Sequence, residues 1–427
     1  MTASRFILSP IKFAYQIASS HSFQFLDDGS PFYLEEGEVE NPSNDLQSCG
    51  NKKLFLYLCN DDYVVFGIMI TRLGIKGYKS IENQCIELKS VNILIGGNGI
   101  GKSNFISVFS MMRSIYEKEL QSYVLKKGGP NVLLYNGKKQ TEIIEFDLSF
   151  LRGEYHNRYI VQLQEVQDTL IVANASTAFL SGGKWHEQLC DKDKKEASIK
   201  DDKKGQAWYV SDLMGQFRVY HFHDTGDTSP MKSKAKIDDN IKLKRDGANI
   251  ASFLYLLKER FPKHFNRIEM AVKSVSPFFE GFALNPDRLN PNVIQLEWKQ
   301  KGVEETYFNA YQLSDGTLRF ICLATLLLQP EPPQTIIIDE PELGLHPMAI
   351  NKLSALVKKA AAKSQIIIST QSVNLVDNFE ADDVVVVDMK NHASQFRRLN
   401  NDELSIWLEQ YSLGEIWEKN LIGGQPF

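Results

Sequence analysis

Apolar and polar residues alternate along several stretches of the chain, as they do in sheet strands that have one buried face. The pattern is clearest over residues 63–80, 84–97, 142–150 and 157–166. We therefore predict strands within each of these four segments.

Other segments follow a helical pattern. Residues 104–127 carry apolar side chains at helical spacing until the GGP segment at 128–130 ends the pattern. Residues 246–275 predict two further helices, after a strand in QFRVYHFHD at 216–224. From about residue 311 onward strands alternate with helices, which is the order that a parallel sheet requires.

Two segments fit neither pattern. The tract DKDKKEASIKDDKK at 191–204 mixes both signs of charge, which favours a solvated loop over a nucleic-acid contact. Residues 1–66 combine a short apolar stretch with polar, turn-rich sequence. Neither segment indicates a function.

Composition places the chain among ordinary globular proteins. Hydrophobic residues make up 43% and charged residues 24% of its 427 positions, and the formal net charge is −5. Its five cysteines form no C-x-x-C pair, which favours buried thiols in a reducing cytoplasm over a disulfide or zinc framework. Without a long apolar run or a secretion signal, we expect a cytoplasmic protein with no membrane contact. Its mild acidity argues against indiscriminate DNA binding but leaves room for one basic groove.

The segment GGNGIGKS at 96–103 carries the clearest chemistry. It fits G-x-x-x-x-G-K-[ST], follows an apolar strand and precedes a helix, which is the context of a phosphate-binding loop. We predict that Lys102 reaches the β- and γ-phosphates of a nucleoside triphosphate and that the Ser103 hydroxyl binds Mg²⁺. The predicted nucleotide-binding positions in and beside this loop are Gly96, Asn98, Gly99, Gly101, Lys102, Ser103 and Asn104.

A second segment, TIIIDEPELGLHP at 335–347, ends an apolar run in two adjacent acids. A carboxylate at the end of a buried parallel strand can face a metal ion held by the phosphate loop, so Asp339 is predicted to bind Mg²⁺. Glu340 then lies where it can orient and deprotonate the attacking water. The two acids could instead cap a helix, but the phosphate loop favours the catalytic interpretation.

The helix predicted in YQLSDGTLRFICLATLLL at 311–328 begins with a serine and a glycine. Such a helix start can bind an anion, yet no ligand for it is evident in the same chain. LSDGTLRF resembles a variant of the ABC-type signature, and DEPELGLHP resembles the Walker B motif and D-loop of ABC-type ATPases, in the form of the RecF-like and SMC branch. The resemblance implies that ATP is the nucleotide and that Ser314 and Gly316 contact the γ-phosphate bound by a second subunit. It therefore implies a homodimer or higher oligomer with ATP sandwiched at shared sites.

The same resemblance assigns roles to two glutamines. The family's switch histidine corresponds to Gln371 in QIIISTQSVNLVDNF at 365–379. An amide can donate a hydrogen bond to phosphate but carries no charge, so slow hydrolysis is expected, unless Gln371 only caps the next helix. The family's Q-loop glutamine, on the Mg²⁺ side of the site, is assigned to Gln140 in KKQTEIIEF.

Two histidines leave a choice open. His221 and His223 share one face of the strand predicted at 216–224 and could bind a metal with Asp224. Histidines at strand ends more often form local hydrogen bonds, which we favour here.

Residues 66–427 resemble RecF-like, SMC-branch ABC-type ATPases and, within them, predicted bacterial AAA-type ATPases of anti-phage defence operons. The segments YHFHDTG, DGANIASFLY and YSLGEIWEKNLIGGQP carry the second resemblance. It implies an α/β fold, a P-loop ABC-ATPase head with a parallel or mixed sheet and an inserted helical lobe. The predicted domains are an N-terminal extension at 1–66, an ATPase lobe with Walker A at 67–150, an inserted α/β lobe at 151–305 and an ATPase lobe with signature, Walker B, switch and C-terminal tail at 306–427.

The resemblance favours one function and leaves others open. The favoured function is a slow ATPase that acts as an ATP-gated dimeric sensor and controls a separately encoded effector, a nuclease or toxin, in anti-phage defence. One alternative is a RecF-like DNA-repair clamp, for which DNA would be a partner. Another is a scaffold in which ATP only joins subunits. A transporter motor is least favoured, because of the D-loop form and the long segment between Ser103 and Ser314.

Overall fold

A computed structural model describes residues 67–425 of the protein, apart from residues 203, 304 and 305. The described residues belong to one compact unit. The predictions made for residues 1–66, including the start of the first strand at 63–66, lie outside the described residues.

One half of the fold is an antiparallel sheet. Its strands are β1 (Ile68–Tyr78), β2 (Ile81–Glu87), β4 (Ile143–Arg152), β5 (Tyr155–Val166), β6 (Thr169–Ser181) and β7 (Lys184–Lys194). They lie in the order β2-β1-β4-β5-β6-β7. Buried and partly exposed residues alternate along β5, as expected for a sheet with one face against a core. The strands predicted from alternation in this half are confirmed.

The other half is built on a second six-stranded sheet. Its strands are β3 (Val91–Ile95), β8 (Arg218–Tyr220), β14 (Thr335–Asp339), β15 (Gln365–Thr370), β16 (Val384–Lys390) and β17 (Ala393–Arg398). Their order is β17-β16-β3-β15-β14-β8, and every neighbouring pair is parallel except β16 with β17. The carboxyl ends of β3, β8, β14 and β15 therefore meet along one edge of this core sheet.

Both faces of the core sheet are covered by apolar side chains. Ile93 and Ile95 of β3 belong to one hydrophobic cluster, while Leu94 belongs to the other. In β14, Ile336 and Ile337 divide between the two clusters in the same way. Continuous apolar runs of this kind are typical of parallel strands buried on both sides.

Helices and short strands complete the described chain. The helices are α1 (Lys102–Glu117), α2 (Leu120–Lys126), α3 (Pro130–Leu133), α4 (Gly205–Gln216), α5 (Ile250–Arg260), α6 (Pro262–Val275), α7 (Asp315–Leu328), α8 (Pro347–Ala360), α9 (Val373–Val376), α10 (Asn401–Leu408) and α11 (Leu413–Glu418). Short strands pair as β9 (Ala235–Lys236) with β11 (Val293–Ile294), and as β10 (Phe279–Phe282), β12 (Glu297–Gln300) and β13 (Tyr307–Asn309). Single 3₁₀ turns lie at Ile199–Asp201, Pro230–Lys232, Ala310–Gln312 and Ala381–Asp383.

The helix predicted over residues 104–127 is divided into α1 and α2. Lys118 takes a left-handed conformation with φ of 62° and ends α1. The Glu196 carboxylate accepts hydrogen bonds from the backbone N–H groups of Leu120 (2.9 Å) and Gln121 (3.1 Å), which begin α2. Because this cap comes from a distant segment, helical spacing alone could not place the break.

The charged tract at 191–204 is only partly the solvated loop that we predicted. Its first residues end β7, and the Asp191 side chain is buried. That carboxylate accepts hydrogen bonds from the Ser198 N–H (2.8 Å) and hydroxyl (2.7 Å) and from Lys194 (2.7 Å). The cysteine prediction also holds only in part, because Cys322 is buried but Cys85 is exposed.

The inserted segment 151–305 joins both sheets. It supplies β5, β6 and β7 to the antiparallel sheet and β8 to the core sheet, so it is not a purely helical addition. Phe150 of β4 pairs with Asn157 of β5 across the predicted boundary at residue 150. The domain boundaries themselves stay predictions. Among the described residues, no helix is long and apolar enough to cross a membrane.

Candidate nucleotide-binding site

The loop between β3 and α1 takes a conformation that requires glycine at two positions. Gly96 has φ of 150°, and a Cβ there would lie 2.7 Å from the Val387 carbonyl oxygen. Gly101 has φ of 115°, and a Cβ there would collide with the Ser394 side chain. Since neither position tolerates a side chain, the loop keeps its backbone free for a close-fitting ligand.

The side chain of Lys102 lies inside this loop. Its ammonium donates hydrogen bonds to the carbonyl oxygens of Gly96 (2.6 Å) and Gly97 (2.7 Å), and the residue is only 5% exposed. Burial lowers the pKa of Lys102, while the negative charges of Glu340, Asp339 and Glu342 oppose that shift. The predicted phosphate-binding cation and the predicted acidic residues are therefore electrostatic neighbours.

A hydroxyl network fixes the loop to β17 of the core sheet and to the turn between β1 and β2 of the antiparallel sheet. The Ser394 hydroxyl donates to the Ile100 carbonyl (2.6 Å) and lies 2.7 Å from the Ser80 hydroxyl. The Asn104 amide also donates to Ser80, at 2.7 Å. The prediction that Asn104 contacts nucleotide stays a prediction; in this structure its side chain supports the loop. Ser103 is exposed at the start of α1.

The two predicted acids follow at the end of β14. Asp339 lies opposite Ser369 of β15, which lies opposite Leu94 of β3, and the Ser369 hydroxyl donates to the Asp339 carboxylate. Glu340 has φ of 43°, which is uncommon for a residue other than glycine. Its N–H donates to the Ser369 carbonyl at 2.9 Å. This turn directs the Glu340 carboxylate to the switch segment after β15.

The switch glutamine contacts the predicted base. The side-chain amide of Gln371 donates a hydrogen bond to the Glu340 carboxylate, and Gln371 is exposed. The alternative that Gln371 only caps a helix is not favoured, since Ser372 caps α9 by accepting from the Leu375 N–H at 3.2 Å. The fold thus brings together Lys102, Asp339, Glu340 and Gln371.

Sequence reasoning gave too little weight to the histidines after β8. Tyr220 pairs with Ile338, so the next residues, His221 and Asp339, lie side by side at the sheet edge. Partial burial lowers the pKa of His221, and the Asp339 carboxylate opposes this shift. His223 Nε2 donates to the Asp339 carbonyl at 2.6 Å. The signal available in the sequence was an apolar strand ending in polar side chains, as in β14.

The contacts of the described residues do not bring Gln140 to this group. It lies exposed in the turn before β4, where its N–H donates to the Gly137 carbonyl at 3.1 Å. Its assignment rested on alignment with a divergent loop. His221, rather than Gln140, lies on the strand adjacent to the Asp339 strand.

The predicted signature residues begin α7. Ser314 caps this helix, and its hydroxyl accepts from the Thr317 N–H at 3.2 Å; the residue is exposed. Gly316 packs so closely against the Gly344 carbonyl that a Cβ there would clash. Within the described chain, no hydrogen bond joins Ser314 or Gly316 to the phosphate loop.

The donor set fits a magnesium ion that arrives with a nucleotide. Ser103 and Asp339 offer a hydroxyl and a carboxylate oxygen, and Mg²⁺ in phosphate sites commonly takes one or two such protein ligands and completes its shell with phosphate and water. In the described part of the chain, no group of three or more His, Cys, Asp or Glu side chains is arranged to hold a metal alone. The cluster of His221, His223 and Asp224 considered above is therefore not such a site.

Part of the site lies in a region that is similar to a known protein family. Residues 218–377 match a family model described as "AAA domain, putative AbiEii toxin, Type IV TA system". This region extends from β8 to α9 and includes the signature, acidic and switch segments. The comparison with curated proteins found no match.

Solved structures identify the fold. The chain is similar to an Smc head bound to the C-terminal winged-helix domain of ScpA, with a TM-score of 0.55 and 16% identity over 78% of this chain and 99% of that chain. A Pyrococcus furiosus Smc head with an extended coiled coil, bound to the C-terminal domain of ScpA, gives a TM-score of 0.50 and 14% identity over 80% and 99%. This chain has the fold of an SMC head. The predicted α/β P-loop ATPase fold is thereby confirmed.

Proposed function

We propose that the chain binds ATP with Mg²⁺ and hydrolyses it slowly. The observation that carries this proposal is the convergence of Lys102, Asp339, Glu340 and Gln371 at one edge of the core sheet. Strand pairing and the hydrogen bond from Gln371 to Glu340 support this, and Lys102 is the electrostatic neighbour of both acids.

Each residue has a distinct role in this proposal. Backbone N–H groups of the loop at 96–103 bind the phosphates, and Lys102 exchanges its two carbonyl contacts for phosphate oxygens. Ser103 and Asp339 would hold Mg²⁺, which would supply positive charge to the phosphates when bound. Glu340 takes a proton from the attacking water. Gln371 contributes a neutral donor to the γ-phosphate, which accounts for the expected slow turnover.

We further propose that the complete site lies between two copies of the chain. Two contacts support this: the Ser314 hydroxyl caps its own helix and Gly316 packs against Gly344, so neither residue is engaged with the phosphate loop of its own described chain. In a head-to-tail homodimer, or a larger assembly of such pairs, they would contact the γ-phosphate held by the partner copy. ATP binding would then close the dimer.

A second protein would bind differently to the open and the ATP-closed dimer. We propose that this cytoplasmic dimer controls a separately encoded nuclease or toxin in anti-phage defence. The support is indirect, since the matched family model is described by a toxin–antitoxin system and both similar Smc heads were solved with a bound ScpA domain. Phage plating on cells that carry the chain and its flanking genes tests this role. Lys102→Ala should abolish protection, and unchanged protection would contradict the proposal.

ATP hydrolysis is tested by phosphate release from the purified chain. We expect slow, Mg²⁺-dependent turnover that Glu340→Gln abolishes while ATP binding persists. Binding without turnover in the wild type would instead favour the scaffold function, and no ATP binding would reject both.

A basic cleft supports the alternative of a DNA-binding clamp. The cleft has a volume of about 820 Å³ and lies beside His221. Its cations outnumber its acids: Arg113, Lys126, Arg218, Lys242, Lys244 and Arg245 face Glu117, Glu119 and Asp246. Burial lowers the pKa of Arg113 to about 10, with Arg218 contributing repulsion. Such a concentration of like charge on an acidic protein favours a polyanionic ligand.

Salt-dependent binding of duplex DNA tests this alternative. We expect Lys242→Glu with Arg245→Glu to weaken binding at least tenfold and to flatten the salt dependence, because phosphate contacts release counterions. Lys258→Glu, at an exposed position on α5 outside the cleft, is the matched control. Absence of binding at low salt, or equal effects of both changes, would reject the clamp.

A further inference from the structure

Glu342 is a buried acid that the proposed mechanism does not use. It follows Glu340 by two residues and is 9% exposed. Its Oε1 atom accepts hydrogen bonds from the Thr370 hydroxyl at 2.6 Å and from the Gln371 N–H at 3.0 Å. Both donors belong to the switch segment, so one carboxyl oxygen connects the segment after β14 to the segment after β15.

The other oxygen of Glu342 has no comparable partner. Oε2 is buried and accepts no hydrogen bond from the described residues. Burial raises the pKa of Glu342, and the Thr370 and Gln371 donors oppose that shift. A buried polar atom without a partner is destabilising. The carboxyl group of Glu342 is therefore not explained by stability alone.

The contacts of Glu342 form part of a closed ring. Its Oε1 fixes the Gln371 backbone, the Gln371 side chain donates to Glu340, and the main chain returns from Glu340 to Glu342. Thr370, the second donor to Glu342, is fully buried. The switch glutamine and the proposed base are therefore oriented through the same carboxyl group.

We propose that Glu342 is a positioning residue of the nucleotide site, which holds the switch segment against the acidic segment and so sets the geometry of the Glu340–Gln371 pair. The inference rests on the proposed ATPase function for its kinetic consequence, but its structural part concerns the Gln371 backbone alone. A misplaced hydrogen-bond donor near the reacting atoms lowers the rate of the chemical step more than it lowers the affinity for substrate.

Kinetics of five variants test the kinetic part. We expect Glu342→Ala to lower kcat about tenfold to hundredfold, with KM for ATP changed less than about threefold. Glu342→Gln should keep at least about a third of wild-type kcat, because its amide oxygen still accepts from Thr370 and Gln371. Adding Glu342→Ala to the Gln371→Ala variant should lower kcat by less than about a further twofold, because both residues act through the Glu340–Gln371 pair. Glu331→Ala, an exposed residue before β14, is the control.

Two kinetic outcomes would overturn the proposal. One is wild-type kcat in Glu342→Ala. The other is a double variant in which the kcat losses of the two single variants multiply and KM for ATP rises to a similar extent. That result indicates general damage to the site. Thermal melting of each variant shows whether it folds.

Hydrogen exchange at the backbone N–H of Gln371 tests the structural part of the proposal without any measurement of turnover. In nucleotide-free protein, we expect this amide to exchange at least about tenfold faster in Glu342→Ala and at the wild-type rate in Glu342→Gln. If this result appears in a chain that releases no phosphate, the positioning role stands and the proposed ATPase function fails. If exchange at Gln371 is equal in all variants, Glu342 does not hold the switch segment, whatever the turnover.

Discussion

Two regions contribute to the proposed ATP site, and they differ in how complete they are within one chain. At the carboxyl edge of the core sheet, Lys102 is bound to its own loop and Glu340 to Gln371. At the start of α7, Ser314 is exposed, and the hydrogen bonds of its hydroxyl are made within its own helix. The fold of one chain therefore assembles the edge that carries the proposed catalytic residues, while the start of α7 remains accessible to a second copy.

The largest effect is expected from the catalytic edge. Glu340→Gln should lower ATP turnover about 100-fold or more, because an amide cannot accept the water proton. ATP affinity should remain within about threefold, since Lys102 and the loop still bind the phosphates. Phosphate release and ATP binding measure the two effects, with Glu331→Gln as the exposed control. Retained turnover would show that Glu340 is not the base.

Mixing two inactive variants tests the contribution of the signature helix separately from that of the catalytic edge. Lys102→Ala and Ser314→Arg should each lower turnover about 50-fold or more. A 1:1 mixture should recover about a quarter of wild-type turnover, because half of the dimers are mixed and each has one intact site. A mixture as inactive as its components, or a fully active Ser314→Arg, would place the whole site within one chain.

A smaller effect sharpens the role of the switch. Gln371→His should raise turnover about threefold to tenfold, because an imidazolium donor carries charge that the amide lacks. The gain should be larger at pH 6 than at pH 8, since histidine is protonated below about pH 6.5. Turnover measured across this pH range decides the point. A gain that is independent of pH would assign the effect to side-chain shape.

The smallest effect is expected outside both regions. Gln140→Ala should change turnover less than about twofold, because residues away from the reacting atoms contribute little. His221→Ala, beside Asp339 on β8, is the comparison and should lower turnover more strongly. Phosphate release measures both variants. A larger loss for Gln140→Ala would restore the original assignment of Gln140 to the magnesium side.

The position of the proposed catalytic residues on the core sheet could be predicted from sequence because these residues directly follow apolar strands. Asp339 ends β14, and the phosphate loop starts where β3 ends, so strand order alone brings them together. The break after Lys118 was not predicted because Glu196, which caps the start of α2, comes from the distant segment after β7. Glu342 was missed because its hydrogen bond from Thr370 joins two distant segments, and no local pattern encodes such a contact.

The most direct test of the shared site is the mass of purified Glu340→Gln protein in solution, measured by light scattering with and without ATP and Mg²⁺. The chain alone has a mass of 48.6 kDa. We predict that ATP with Mg²⁺ shifts the protein from this mass to twice this mass, or from dimers to a larger closed assembly, and that Ser314→Arg prevents the shift. A mass that is unchanged by saturating ATP would contradict a site completed by a second copy.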